Sequence, residues 1–306
     1  MHFFVNANYP FMKWRRVGYI FSLVTFAISV IGLVALGGPK WSVDFTGGTL
    51  IQILLDKPLE ISAIRAALGP VGLDTGEIQR FGESNEYLLR VDRTKYGEKT
   101  APTVVEALRT GLSGVSIDVR RTEDVGPRVG GELKRGAAIA LTFGLLSVLV
   151  YVAVRYEMRF AAAGVIALFH DIIFVTGVLT IFHREFSLGV VAALLTIAGY
   201  SINDTIIVFD RIREGMRIYR REPFSDICDK SINRTLSRTI ITSGLTLVSV
   251  VSLLLFGGEV NRDFALALTI GIAVGTYSSI FVASAIVVDW RAYDAARAEK
   301  KRRVAA

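Results

Sequence analysis

Six long apolar segments constrain the fold of this 306-residue chain more than any other feature. They occupy residues 17–36, 136–154, 160–182, 186–209, 239–256 and 264–288. Each is close to the ~20 apolar residues with which an α-helix crosses ~30 Å of hydrocarbon. With 52% hydrophobic and only 21% charged residues, the composition excludes an ordinary soluble domain. We therefore predict an α-helical polytopic membrane protein with six transmembrane helices.

The placement of Lys and Arg predicts how the chain is oriented. Basic residues concentrate at residues 1–16, in the short link between the second and third segments, in the loop 210–238 and in the tail 289–306. The short turns on the other side are nearly charge-balanced, so the positive-inside rule places both termini in the cytoplasm. The net charge of +7 then reflects topology and contact with anionic membrane lipids, and no nucleic-acid partner is expected.

A soluble domain is predicted between the first two spans, at residues 37–130, with the remaining spans at 131–288. Its pattern predicts strands at 48–55, 77–81, 87–91 and 115–121 and helices at 60–68 and 102–112. The order βαββαβ is that of a ferredoxin-like α+β domain, in which two helices cover one face of a sheet. We predict that this small domain lies outside the cytoplasm.

The sequence offers no catalytic constellation, metal site or cofactor site. The predicted soluble domain has neither histidine nor cysteine, and the single cysteine of the chain, Cys228, has no partner for an intrachain disulfide. We therefore expect the soluble domain to have a binding or mechanical role and the protein not to be an enzyme.

Asp204 is one of two acidic residues inside the predicted spans, about a turn and a half from the cytoplasmic end of the fourth. An ionised carboxylate at this depth loses hydration, so it needs a cation or hydrogen-bond donors. Arg238 begins the fifth span at the same level, and Arg234 lies one turn earlier on the same face. We predict that Asp204 takes up and releases protons, and that Arg238 is the partner of its charged form. A static buried ion pair that fixes helix register is the alternative.

The second acid, Asp171, follows His170 near the middle of the third predicted span. Histidine titrates near neutrality and can relay protons together with a neighbouring carboxyl group. Adjacent helical residues point about 100° apart, however, so the two side chains need not touch. A purely structural hydrogen bond between helices is therefore the alternative role for this pair.

Small side chains line faces of the fourth and sixth predicted spans. They are Gly189, Ala193, Thr196, Gly199 and Asn203 in the fourth, and Ala267, Gly271, Gly275 and Ser279 in the sixth. Such faces let helix backbones approach closely, and Gly271 and Gly275 have the GxxxG spacing. We predict close helix packing at these faces. A second protein would cover any part of them that the helices of this chain leave exposed.

Three stretches together resemble the SecD/SecF family. Residues 43–49 read VDFTGGT and place Asp44, Phe45, Gly47 and Gly48 in a glycine motif like the one that follows the first span in that family. Residues 201–214, SINDTIIVFDRIRE, resemble the family's fourth-span signature, and residues 233–239, NRTLSRT, resemble its motif leading into span five. The resemblance covers nearly the whole chain.

The resemblance implies one half of a resistance-nodulation-division bundle with a periplasmic domain, in a bacterial cytoplasmic (inner) membrane. A SecD-like subunit would supply the other half. Together they would use the proton-motive force to help unfolded exported polypeptides leave the SecYEG channel after insertion by SecA, with YajC as a further candidate partner.

By the same analogy, Asp204, Asn203 and Arg238 would couple the ion gradient to movement, with Asp210 and Arg234 as secondary candidates. Protons and sodium ions both stay open as the coupling ion at this level.

Two other classes of protein share some of these features. A small-molecule exporter of the same superfamily would normally carry both halves in one much longer chain. An intramembrane aspartyl protease would use acids on consecutive spans, as Asp171 and Asp204 are. Its second acid lies in a Gly-x-Gly-Asp motif, however, whereas Ile202 and Asn203 precede Asp204 here.

Overall fold

The computed structural model describes residues 7–74, 76–81, 84–91 and 96–305. The chain divides into two units, one made of the residues up to Lys40 together with Ala140–Ala306, the other of Trp41–Ile139. The helices are α1 (Arg15–Ala35), α2 (Val43–Thr46), α3 (Ile61–Leu68), α4 (Thr100–Gly111), α5 (Pro127–Arg155), α6 (Met158–Ile181), α7 (Leu188–Ile218), α8 (Phe224–Phe256), α9 (Glu259–Ser278) and α10 (Ser284–Ala305). The strands are β1 (Lys40–Trp41), β2 (Gly48–Leu55), β3 (Glu77–Arg80), β4 (Glu86–Val91), β5 (Ile117–Val125) and β6 (Glu185–Phe186).

Six helices are long and apolar enough to cross a membrane, judged by length and composition. They are Phe11–Ala35, Val129–Arg155, Met158–Ile181, Leu188–Ile218, Phe224–Phe256 and Val260–Arg303. The sixth passes from α9 through a π-helical turn, Ser279–Ala283, into α10. The prediction of a polytopic helical membrane protein with six spans is confirmed.

Several helices continue past the apolar segments that the sequence marks. α7 continues to Ile218 and α8 begins at Phe224, so residues 210–238 are mostly helical rather than the loop that was predicted. The basic tail 289–306 is likewise carried by α10 as far as Ala305. Hydropathy marks where a helix leaves the hydrocarbon, whereas the backbone hydrogen bonding continues because Arg, Lys and Glu are good helix formers.

α7 packs closely against α9. A Cβ atom on Gly271 of α9 would overlap the side chain of Ile197 on α7, and one on Gly275 would lie 3.0 Å from Ser201 Cβ. Both glycines are buried. The small face predicted for the sixth span is therefore used inside this chain, where it lets two backbones approach.

α1 and α5 carry large apolar side chains on their exposed faces. Leu23 and Val34 of α1 and Phe143, Val150 and Val154 of α5 are each more than half exposed. Such side chains match lipid tails, which are as apolar as the residues themselves. These two helices therefore present the face that is suited to the bilayer.

The segment before α1 is tied to α8 by side-chain hydrogen bonds. Asn233 accepts from the Tyr9 backbone N–H at 2.9 Å and donates to the Tyr9 carbonyl oxygen at 2.9 Å. One turn earlier, Asp229 accepts from the Met12 N–H at 2.8 Å. These bonds satisfy backbone groups of Tyr9 and of Met12, which lies in a short 3-10 turn, Phe11–Trp14. Asn233, which belongs to the NRTLSRT motif, therefore anchors the N-terminal segment.

The second unit has the ferredoxin-like arrangement that the sequence predicted. Its sheet order is β3-β4-β2-β5, and every pairing is antiparallel. Its core includes the fully buried side chains Ile51, Ile53, Ile64, Leu68, Leu89, Val104 and Leu108. β5 continues to Val125, beyond the predicted end at residue 121. It is an edge strand rich in charged side chains, and hydropathy does not mark such a strand to its end.

The glycine motif shapes the entry into β2. Ser42 Oγ accepts from the Asp44 N–H at 3.3 Å and thereby begins α2. Phe45 is buried, within the same short helix. Gly47 and Gly48 have φ angles of 74° and 126°, which favour glycine, and Gly48 is the first residue of β2. In this structure the motif forms the turn that starts β2, one of the two inner strands of the sheet.

Candidate functional site

Asp204 lies on α7 and is 1% exposed. Its Oδ2 atom accepts a hydrogen bond from Ser243 Oγ of α8 at 3.2 Å, and Thr276 Oγ1 of α9 lies 3.4 Å away. The Thr276 hydroxyl is also 2.9 Å from Ser243 Oγ, so its single proton has two acceptors to choose from. The carboxyl group of Asp204 therefore joins three helices through neutral hydroxyl groups.

Arg238 is not in contact with Asp204 here, although the sequence predicted that the two would pair. It lies on α8, five residues before Ser243, with an exposed side chain. No hydrogen bond or ion pair joins the two side chains in the part of the chain that the structure describes. A long basic side chain near the end of a span reaches readily toward water, and hydroxyl groups supply the donors that Asp204 needs.

A second buried acid forms a separate cluster. Asp171 of α6 is fully buried, and its Oδ2 atom accepts hydrogen bonds from Ser201 Oγ of α7 at 2.6 Å and Ser278 Oγ of α9 at 2.7 Å. His170 Nδ1 lies 3.0 Å from Oδ1 of the same carboxyl group. The adjacent side chains therefore meet, although their directions on the helix differ by about 100°.

The ring of His170 stacks on two aromatic rings. It stacks on Phe26 of α1 and on Phe174 of its own helix, with centroid distances of 6.1 and 6.3 Å. His170 is 8% exposed, and its Nε2 atom is buried without a hydrogen-bond partner among the described residues. Buried polar atoms usually have a partner, so this nitrogen needs an explanation.

One face of α7 is exposed and carries small or polar side chains. Ala192, Thr196, Gly199 and Asn203 follow one another at spacings of four, three and four residues, which places them on a single helical face. Ala193, by contrast, is buried inside the chain. This open face differs from the large apolar faces of α1 and α5, and small residues favour approach by another helix.

The other two predicted candidates lie toward the charged ends of α7 and α8. Asp210 is exposed, and one of its oxygens is 3.8 Å from a guanidinium nitrogen of Arg155. Arg234 is also exposed and donates to the Tyr219 hydroxyl at 2.5 Å. The structure therefore does not bring Asp210 or Arg234 into the hydroxyl cluster around Asp204.

Four hydroxyl residues of the two clusters escaped sequence analysis: Ser243 and Thr276 beside Asp204, and Ser201 and Ser278 beside Asp171. Serine and threonine in membrane helices often bond to their own backbone, as Ser249 does with the Leu245 carbonyl. No pattern separates those hydroxyls from the ones that reach another helix. A hydroxyl becomes a partner when it lies at the same level in the bundle as an acid on a neighbouring helix. That level is known only once the packing of the helices is known.

Two segments match known protein families. Residues 104–293 match the family described as protein export membrane protein SecD/SecF, C-terminal, and residues 33–59 match the SecD/SecF GG motif. Taken with six spans and two buried acids, these matches define the class of the protein as an export membrane protein of the SecD/SecF type.

Relatives named protein translocase subunit SecF match over most of their length. The protein from Vibrio alginolyticus is 45% identical over 91% of this chain and 88% of its own. The protein from Rhodothermus marinus is 44% identical over 97% of this chain and 98% of its own. The protein from Escherichia coli O157:H7 is 42% identical over 92% and 87%. The chain belongs to the SecF family.

Solved structures of SecDF have the same fold. The crystal structure of SecDF from Thermus thermophilus, described as a translocon-associated membrane protein, matches with a TM-score of 0.85 and 38% identity over 95% of this chain. SecDF in a super-membrane-facing form matches with a TM-score of 0.73 over 97% of this chain. The chain spans 40% of the length of each SecDF chain.

Proposed function

We propose that this chain is the SecF-type subunit of a protein-export complex in a bacterial cytoplasmic membrane. Paired with a SecD-like subunit, it uses the proton-motive force to promote late steps of polypeptide translocation. Its role is not enzymatic, because the chemical event is the binding and release of a proton. Membership of the SecF family supports this proposal.

The observation that carries the proposal is the environment of Asp204. A charged carboxyl group inside a membrane protein is costly unless it is paired, and the described contacts of Asp204 are hydroxyl groups. Protonation removes the charge and weakens the hydrogen bond from Ser243. α7 is then freer to move against α8 and α9, so that proton binding becomes helix movement.

Arg238 is the proposed counter-charge of Asp204 in another state of the cycle. It lies about a turn and a half from Ser243 on α8, so a change of rotamer or a shift of α8 brings its guanidinium toward Asp204. An ion pair that forms and breaks in this way separates two packings of the helices. Asn203 lies on the open face of α7 and is adjacent in sequence to the buried Asp204. The coupling residues would therefore meet the partner subunit at Asn203.

The open face of α7 supports the proposal of a SecD-like partner. Its exposed residues are small or polar, as expected for a face that another helix covers. The matched SecDF chains are longer than this one, and 40% of their length corresponds to it. We infer that a SecD-like half packs on this face and completes the bundle.

The remaining partners follow from the same assignment. The complex would act at the SecYEG channel after SecA has inserted a polypeptide, with YajC as a further component. The α+β unit would meet unfolded exported polypeptides in the periplasm. Both termini would lie in the cytoplasm, where the basic ends of α7, α8 and α10 meet anionic lipids.

A carrier role fits the two acids better than a protease role. An aspartyl protease needs two carboxyl groups that share one proton. Asp171 and Asp204 contact different pairs of hydroxyl groups, and no hydrogen bond joins the two carboxyl groups among the described residues. Each acid can therefore change its charge separately.

Inverted membrane vesicles provide the test. They should contain this chain, a SecD-like subunit and SecYEG, with a polypeptide arrested late in translocation. Imposing a proton-motive force should speed completion, and a protonophore should abolish the effect. Stimulation that survives the protonophore and disappears with a sodium ionophore would contradict proton coupling. Stimulation without a SecD-like subunit would contradict the paired arrangement.

A further inference from the structure

We propose that His170 and Asp171 form a second protonation site, distinct from Asp204. A proton binds at His170 Nε2, and the Asp171 carboxylate neutralises the positive charge that results. The inference deepens the proposed function, and only the coupling of this protonation to export rests on that function. The protonation itself can be measured without any export.

The Asp171 carboxyl group is arranged as an acceptor. Ser201 and Ser278 donate to Oδ2 at 2.6 and 2.7 Å, and His170 Nδ1 lies 3.0 Å from Oδ1. An ionised carboxyl group accepts all three donors at once, whereas a protonated one must also donate. In the proposed resting state the carboxyl group is ionised, and it accepts from the two serine hydroxyl groups and from the ring N–H.

The proposed state also defines the tautomer of His170. When Nδ1 carries the proton that it donates to Asp171, the lone pair of the neutral ring lies on Nε2. This atom is buried and has no partner among the described residues. A proton bound there breaks none of the hydrogen bonds that hold the cluster. The ring becomes an imidazolium, and the adjacent carboxylate balances its charge.

The surroundings of the pair contain few other charges. From α7 and α9 the hydroxyl groups of Ser201 and Ser278 face it, and from α1 the ring of Phe26 stacks on the imidazole. The nearest titratable groups along α7 and α9 are Tyr200, next to Ser201, then Asp204, three residues after it, and Tyr277. The Tyr200 hydroxyl donates to Thr246 Oγ1 of α8 at 3.5 Å. The Tyr277 hydroxyl donates to a backbone carbonyl of α1 at 2.7 Å. No basic side chain contacts the pair in the described part of the chain.

The two acidic clusters share two helices. Ser201 and Asp204 lie on α7, and Thr276 and Ser278 lie on α9. A charge on His170 changes how strongly Asp171 holds the two serine hydroxyl groups. The same two helices hold Asp204, so the charge state of one cluster biases the packing around the other.

Solid-state nitrogen NMR of the chain in lipid vesicles tests the proposal directly. The chain has three histidines, and His2→Asn with His183→Asn leaves His170 as the single labelled ring. Asparagine suits position 183, where φ is 52°. Between about pH 9 and about pH 5, the His170 signals should change from one protonated and one bare nitrogen to the imidazolium pattern.

Substitutions at the site separate this proposal from the role of Asp204. Asp204→Asn should leave the His170 titration in place, whatever it does to export. Asp171→Asn should abolish the imidazolium form, because nothing neutralises it, whereas Ser278→Ala should retain it. A bare Nε2 from about pH 9 to about pH 5 in the parent protein would overturn the proposal, as would an imidazolium that persists in Asp171→Asn.

Discussion

The hydroxyl group of Ser243 donates a hydrogen bond of 3.2 Å to Oδ2 of Asp204, so that α8 holds the buried carboxyl group of α7. Thr276 of α9 extends the contact, because its hydroxyl lies 2.9 Å from Ser243 Oγ. A change in the charge of Asp204 therefore alters contacts with two neighbouring helices at once. Ser243 is the residue through which that change first reaches α8.

Ser243→Ala should lower protonophore-sensitive export by about tenfold or more, because a hydrogen bond to a charged group contributes about 1.5–3 kcal/mol. The measurement is the rate of completed translocation in inverted vesicles under an imposed gradient. Ser249→Ala is the matched control, since that hydroxyl is exposed and bonds to the Leu245 carbonyl of its own helix. Equal rates for the two variants would show that the Ser243 contact is unimportant.

Gly271→Ala should destabilise the packing of α7 on α9, because the added methyl group overlaps Ile197. Overpacking of this kind costs about 1–3 kcal/mol. Gly244→Ala is the control, because no residue in the described part of the chain comes within 4 Å of a Cβ at Gly244. Thermal unfolding in detergent should show a lower midpoint for Gly271→Ala and no decrease for Gly244→Ala. Similar midpoints would contradict the close approach.

Gly199→Leu should weaken binding of a SecD-like subunit, because the larger side chain stands on the open face of α7. Among the described residues, nothing lies within 4 Å of a Cβ at Gly199, so the chain itself should stay folded. Ala153→Leu places the same side chain on the exposed face of α5 and should bind normally. Co-purification with a tagged SecD-like subunit measures the difference. Unchanged recovery of Gly199→Leu would move the partner to another face.

The predicted orientation can be tested with cysteine labelling in intact cells. Cys228 is buried, so it should be inert on either side of the membrane and is best replaced by serine. In that background, Ser113→Cys in the α+β unit should react with a membrane-impermeant maleimide. Arg221→Cys, between α7 and α8, should react only after the cells are opened. Both positions are exposed. Labelling of Arg221→Cys in intact cells would invert the topology.

The parts of the fold that depend on local pattern could be predicted from the sequence. The strand predicted at 48–55 is β2, Gly48–Leu55, because a short apolar run between glycines and turn residues marks both ends. The end of α7 could not be predicted in this way. Its last two turns lie beyond the apolar segment, and helical hydrogen bonding there continues through charged residues up to Ile218.

The two buried acids of the site could be predicted from the sequence, but their hydrogen-bond partners could not. Asp171 and Asp204 stand out because an acid within an apolar span is costly. Their hydroxyl partners come from other helices, so choosing Ser243 over Ser249 requires the packing of α8. The same holds for Arg238, whose position in the sequence fits an ion pair while its side chain is exposed in this state.

The proton-carrier account and a static ion pair predict different double variants. If Asp204 and Arg238 formed only a fixed pair, removing one partner would leave a buried charge, and Asp204→Asn combined with Arg238→Gln should restore stability and export. If Asp204 carries the proton, the double variant should stay inactive. Asp204→Glu should retain part of the activity, because it keeps a titratable group one methylene away.

Protonophore-sensitive export by Asp204→Asn in inverted vesicles is the most direct measurement of the central claim. The variant should insert, bind a SecD-like subunit and unfold at about the parent temperature, because the amide oxygen that replaces the carboxylate can still accept from Ser243. Its stimulation by the proton gradient should be lost, since the amide does not titrate in the accessible range. Stimulation at the parent level, with the same sensitivity to the protonophore, would contradict the assignment of Asp204 as the proton carrier.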